Sequence, residues 1–210
     1  MHDDDTSPIR LNGYGSLDSA AIIALSGSSR AGSRNAKLLN IAVEEAIRLG
    51  SDVTLVDLRD LDLPIYDHDL EEDELPQAVL ILRQLLAAHD GLMIATPEYN
   101  GSVPALLKNA LDWSSRPSFG LDGLAPYKGK AAVLMTVCDA ATGGVSVLNH
   151  LRTILCRLGV LVMPEELRIP GRAAPFGDGT DDAETSLGVA SLMGQFHALL
   201  RQTGPHNEMR

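Results

Sequence analysis

Hydrophobic residues along this chain follow two alternating patterns. Short, nearly unbroken apolar runs occur at 20–25, 53–56, 91–95, 131–137 and 160–163. Strands buried on both faces read this way, as in a parallel sheet. Between these runs the apolar positions take helical spacing. Leu39, Ala42, Val43, Ala46 and Leu49 lie on one face of a helix predicted over 33–49. Val79, Leu82, Leu85 and Leu86 do the same over 75–88, and Leu148, Leu151, Leu155 and Leu158 over 145–158. Two more helices are predicted, over 104–113 and 183–201. The first of these has proline in its opening turn and Ser102 as candidate N-cap. Gly50 and Gly159 stand just past two helix ends, where a left-handed cap residue is expected. The fifth strand meets Pro164, a candidate interruption, and resumes near 167–169.

Strands alternating with helices, five of each, imply an α/β fold: a five-stranded parallel sheet with helices on both faces, in three layers. Right-handed crossovers then leave a crevice beside the C-terminal strand ends, where the winding reverses. Function is expected in the loops after the first, third and fourth strands. Residues 1–19 are polar and without periodicity, and are expected to be a disordered extension. A single domain is expected over 20–203, with a flexible tail over 204–210.

Charge narrows the function classes. The 210 residues carry a net charge of −11, which repels nucleic acid. The acidic runs at 3–5, 67–74 and 178–184 read as solvated loops. Cys138 and Cys156 are too few for a disulfide framework or a zinc site, and fit a reducing cytoplasm. No basic and apolar leader opens the chain, and no apolar run reaches the ~18 residues of a membrane span. A cytoplasmic location is therefore expected, with neither membrane nor nucleic acid as partner. The histidines show no metal spacing, and no Cys-x-x-Cys cluster suggests iron–sulfur chemistry.

The first loop reads Gly27-Ser-Ser-Arg30-Ala-Gly-Ser33-Arg34-Asn35. Ser28, Ser33 and Asn35 offer short polar groups, and Arg30 a guanidinium fork suited to phosphate oxygens. Backbone N–H groups entering the helix favour an anion at the same place. The loop matches neither Gly-x-Gly-x-x-Gly nor the nucleotide P-loop. It suits a terminal phosphate, not a pyrophosphate or ATP with magnesium; an ordinary capped helix start is the plainer reading. The second loop reads Thr96-Pro97-Glu98-Tyr99-Asn100-Gly101-Ser102-Val103-Pro104. Its stiff backbone suits the edge of a heterocycle and Tyr99 offers an aromatic surface, or the loop is a simple turn with a packed tyrosine. The third, from Val137 and Cys138 to Gly143-Gly144, is either a ligand wall or a bend. Trp113 reads as a core or interface residue, and His150 as a surface or interface one.

These residues resemble the NAD(P)H-dependent FMN reductases, which include quinone, chromate and azo-dye reductases. The resemblance rests on Gly27-Ser-x-Arg-x-x-Ser-x-Asn35 and on Pro97-Glu-Tyr-Asn-Gly-Ser-x-Pro104. It continues through Leu107-Lys-Asn-Ala-Leu-Asp-Trp113 to Gly143-Gly144 and Leu151-Arg152, over roughly 20–165. It implies a flavodoxin-like fold with FMN as cofactor and NADPH or NADH as co-substrate. Ser28, Arg30, Ser33 and Asn35 would hold the phosphate, and Pro97, Glu98, Tyr99, Asn100 and Gly101 would border the flavin. Cys138 would be the cofactor-binding residue of the third loop, about where the family commonly has serine. The flavin carries the redox chemistry, so no catalytic side chain is nominated. The expected function is electron transfer from NAD(P)H through FMN to a small acceptor: a quinone, free flavin, azo dye or metal oxyanion. Ping-pong kinetics and a homodimer or homotetramer complete the expectation. The alternatives are a non-enzymatic FMN carrier serving a protein partner, and a nucleotide-binding regulatory domain of the same fold.

Overall fold

A computed structural model describes residues 9–12, 19–73, 75–117, 120, 122–139, 142–170 and 183–203. Its strands are β1 (Ile9–Asn12), β2 (Ala21–Ser26), β3 (Asp52–Val56), β4 (Gly91–Ala95), β5 (Ala131–Cys138) and β6 (Leu161–Pro170). They form one sheet in the order β1-β3-β2-β4-β5-β6. The five strands β2 to β6 are mutually parallel, as the apolar runs imply. The sixth, β1, pairs antiparallel with β3, from Ile9 opposite Val56 to Asn12 opposite Val53. Residues 9–12 therefore depart from the expected disordered extension. Four residues are too few to show a period, and an edge strand is held by its neighbour's backbone rather than by its own pattern. The rest of the extension, 1–8 and 13–18, lies outside the described residues. So do the tail over 204–210 and most of the acidic run over 178–184.

Alternation along each strand sends side chains to two cores. Ile22, Ala24, Met93, Ala95, Val133 and Met135 face α1 (Arg34–Arg48) and α6 (Ala183–Thr203). Ile23, Leu25, Leu92, Ile94, Ala132 and Leu134 face α3 (Gln77–Ala88), α4 (Ala105–Ser114) and α5 (Val145–Arg157). The three layers are those the periodicity predicts.

Helix ends differ where side chains do something other than cap. Ser33 does cap α1, its Oγ accepting the Ala36 N–H at 3.4 Å. Ser102 does not cap α4; Pro104 holds the N-cap position and Ser102 pairs with Tyr99 instead. Pro76 likewise delays the start of α3 to Gln77. Within the acidic run, α2 (His68–Asp73) forms one short helix. Asp67 starts it by accepting the Asp69 N–H at 2.9 Å.

Strand β6 runs unbroken through Pro164 because it bulges there. Its register against β5 jumps between Ala132 opposite Val162 and Leu134 opposite Glu166. A bulge on an edge strand needs no proline N–H. Arg152 of α5 covers the disturbed backbone, donating to Met163 O at 2.6 Å and Val162 O at 3.3 Å and pairing with Glu166 at 3.1 Å. The segment after α4 is organised from below by buried Arg83. Its Nη1 donates to the carbonyls of Ser114 (2.7 Å), Arg116 and Gly123 (3.3 Å), closing the helix end. Trp113 is a core residue: fully buried, its Nε1 donates to Pro64 O at 2.7 Å, with Tyr66 edge-on 4.9 Å away.

The winding leaves β2 in the middle. The chain moves outward from β2 to β3, then crosses back to β4 on the other side. The C-terminal ends of β2 and β4 therefore splay loops in opposite directions, and a crevice opens between them.

Candidate functional site

The first loop starts as an extension of the ladder. Gly27 N–H donates to Ala95 O at 2.9 Å, and Thr96 N–H to Met135 O at 3.0 Å. A Cβ on Gly27 would lie 2.8 Å from the Thr96 Cβ, so the two strand ends close up only with glycine there. Beyond Gly27 the loop folds on its own hydroxyls. Ser28 Oγ accepts the Arg30 N–H at 3.3 Å, and Ser33 N–H donates to Arg30 O at 3.2 Å. Both serines are buried and both line the crevice, while Arg30 is exposed at its rim. The Arg30 guanidinium has no hydrogen-bond or ion-pair partner among the described residues. Arg59 steadies the loop from outside, donating to Ser29 O at 3.4 Å. Its hydrogen bonds to Asp57 hold that carboxyl below the usual carboxylate range.

The second loop is a two-residue hairpin. Tyr99 and Ser102 exchange both backbone hydrogen bonds at 3.0 Å. Asn100 (φ 52°) and Gly101 (φ 76°) both occupy the left-handed region that such a turn demands. Asn100 and Gly101 do not line the crevice; they present Tyr99, which is 46% exposed and does. His150 of α5 is exposed and reaches this hairpin, its Nδ1 3.0 Å from Ser102 Oγ.

Pro97 and Glu98 line the crevice with Tyr99, as do Val137, Cys138 and Asp139 on the third-loop side. The cavity measures about 260 Å³. Cys138 is buried in its floor at the end of β5. Glu98 also ties two loops together. One carboxylate oxygen accepts the Thr142 hydroxyl at 3.2 Å and the other the Val147 N–H at 3.2 Å, in the first turn of α5. Gly144, the N-cap of α5, has no side chain to do this, and a carboxylate there is favoured by the helix dipole. Asn35 departs most from expectation. It lines the crevice, but its amide is engaged by β5: Oδ1 accepts the Val137 N–H at 2.8 Å and Nδ2 donates to Val137 O at 3.0 Å. It continues a ladder where β4 has run out of partners.

Sequence reasoning gave no role to Arg34. It opens α1, lines the crevice and forms a two-pronged ion pair with Asp139 across the gap. The two residues are 105 positions apart, and nothing local in either marks the pairing. Among the described residues no three potential metal ligands gather, and no helix is long and apolar enough to cross a membrane.

The crevice fits a flavin mononucleotide. At one end, two hydroxyls, the Arg30 guanidinium and a helix N-terminus line the crevice, which suits a phosphate monoester. At the other, a rigid hairpin and an exposed tyrosine ring flank the gap between β2 and β4. Comparison with known proteins agrees. The NADPH-dependent FMN reductase family model matches residues 20–173. An NAD(P)H-dependent FMN reductase of Pseudomonas aeruginosa is 36% identical over 144 residues, 68% of this chain and 73% of that protein. A quinone reductase of Escherichia coli K12 is 41% identical over 104 residues, 49% of this chain and 52% of that one. Among solved structures, the flavoenzyme NAD(P)H:(acceptor) oxidoreductase FerB of Paracoccus denitrificans superposes with a TM-score of 0.72 at 28% identity, over 88% of this chain and 98% of its own. The chain thus belongs to the NADPH-dependent FMN reductase family, and is an oxidoreductase with FMN as cofactor and a reduced nicotinamide as electron donor.

Proposed function

We propose that this chain passes electrons from NAD(P)H through FMN to quinones and other small acceptors, by ping-pong kinetics. The observation that carries the reading is the cation-and-hydroxyl end of the crevice, placed at the switch point of a flavodoxin-order sheet. Ser28, Arg30, Ser33 and the first turn of α1 hold the phosphate. Pro97, Glu98 and Tyr99 border the ring, with Asn100 and Gly101 setting the hairpin and Asn35 bracing the floor. FMN, when bound, supplies the hydride chemistry. The protein's task is to orient it and to leave one face open to alternating partners.

The polar groups left over support a broad acceptor range. A site selective for one acceptor needs buried partners that the wrong molecule leaves unpaired. Thr142 is engaged by Glu98, and Asp139 has a largely exposed side chain that is no buried partner. Cys138 is buried in the floor. Little remains to read an acceptor's substituents. Varying NADPH at several fixed quinone concentrations is expected to give parallel lines, with turnover of several acceptors from a mixed panel. Intersecting lines with one accepted substrate would contradict it.

The same reading includes a homodimer or homotetramer. Two-fold assemblies are the commonest kind, and α2 with the segment before it leaves Leu70 42% and Ile65 87% exposed. Light scattering at micromolar concentration should give a multiple of the 22.4 kDa chain mass. A monomeric mass with full activity would count against it.

A further inference from the structure

We propose that Arg34 selects the phosphorylated form of the cofactor by exchanging Asp139 for the phosphate when FMN enters. The inference rests on the FMN reading of the crevice. Arg34 is the first residue of α1, so its guanidinium stands at the helix end where an anion is favoured. It lines the same crevice as Ser28, Arg30 and Ser33. Its two terminal nitrogens face the two carboxylate oxygens of Asp139, the residue that follows β5.

Both partners are part exposed, 35% for Arg34 and 57% for Asp139, so the pair adds little to stability. The fold does not need it as a tie, because Asn35 and Val137 already join α1 to β5 by two buried hydrogen bonds. What Asp139 does provide is a stand-in. Its carboxylate presents two oxygens to the guanidinium fork, as a phosphate does, but with a smaller charge. Held this way, Arg34 stays aimed across the crevice instead of trailing into solvent. A dianionic phosphate arriving beside Ser28 and Ser33 is the better acceptor and takes the guanidinium over. Arg30, with no hydrogen-bond or ion-pair partner to leave among the described residues, is the standing phosphate cation, and Arg34 the exchanging one.

Titrating the apoprotein with FMN and with riboflavin, read by flavin fluorescence, tests the exchange. Arg34→Gln is expected to weaken FMN binding about tenfold and leave riboflavin unchanged. Asp139→Asn is expected to tighten FMN binding about two- to fivefold, because the competing carboxylate is gone. In the Arg34→Gln background, Asp139→Asn should then change nothing. Equal weakening by both single substitutions would make the pair a fixed clasp and overturn the exchange. A gain from Asp139→Asn without Arg34 would reduce it to simple repulsion, and an equal loss for both flavins would reduce Arg34 to a fold residue. If the native protein binds neither flavin, the FMN reading itself fails; if it binds FMN and Arg34→Gln changes nothing, only the exchange fails.

Discussion

Arg30→Ala is expected to weaken FMN binding by about 10- to 150-fold while leaving the fold intact. The guanidinium lies exposed at the crevice rim and makes no hydrogen bond or ion pair among the described residues, so its removal should cost the fold little. A hydrogen bond to a charged group is worth roughly 1.5–3 kcal/mol, which sets the range. Riboflavin, which has no phosphate, should bind the native protein more weakly than FMN does. The substitution should narrow that gap by lowering FMN alone. Unchanged FMN affinity in an apoprotein titration would remove Arg30 from the phosphate site.

Asn35→Leu should behave oppositely, weakening both flavins and the fold together. Asn35 is 4% exposed and its amide satisfies both backbone groups of Val137. Leucine fills the space, excludes water and leaves a buried N–H and a buried C=O without partners. Each such orphan costs about 1–3 kcal/mol, for a total of roughly 2–6 kcal/mol. The urea midpoint should fall, and the third-loop wall, no longer pinned to α1, should lose hold of either flavin. A midpoint equal to the native one would show that the Val137 groups find other partners. The contrast between the two substitutions separates a ligand contact from a brace, although both residues belong to one nine-residue motif.

That contrast also marks how far the sequence can be read. The five parallel strands and the two-sided core were legible because burial on both faces writes itself into local apolar runs. The first two loops were legible as well, since Ser33 capping α1 and Asn100-Gly101 turning the hairpin are short-range events. Tasks set by distant partners were not. Asn35 reads as a phosphate donor, and its amide turns out also to be engaged by β5, 102 residues on. Glu98 reads as a flavin neighbour, and its carboxylate turns out also to hold the start of α5, 49 residues on. Ser102 looks like a helix cap, but the hairpin claims its backbone and His150 meets its hydroxyl. Strand β1 escaped notice for the same reason: its pairing belongs to β3.

An anaerobic flavin titration tests most directly whether this crevice binds FMN and works by turns. The protein is loaded with FMN, freed of excess, and mixed with one equivalent of NADPH in the absence of acceptor. The prediction is one FMN per chain, a visible absorption band that bleaches on mixing, and its full return when a quinone is added. A protein that retains no FMN, or a band that NADPH leaves unchanged until quinone is also present, would contradict it.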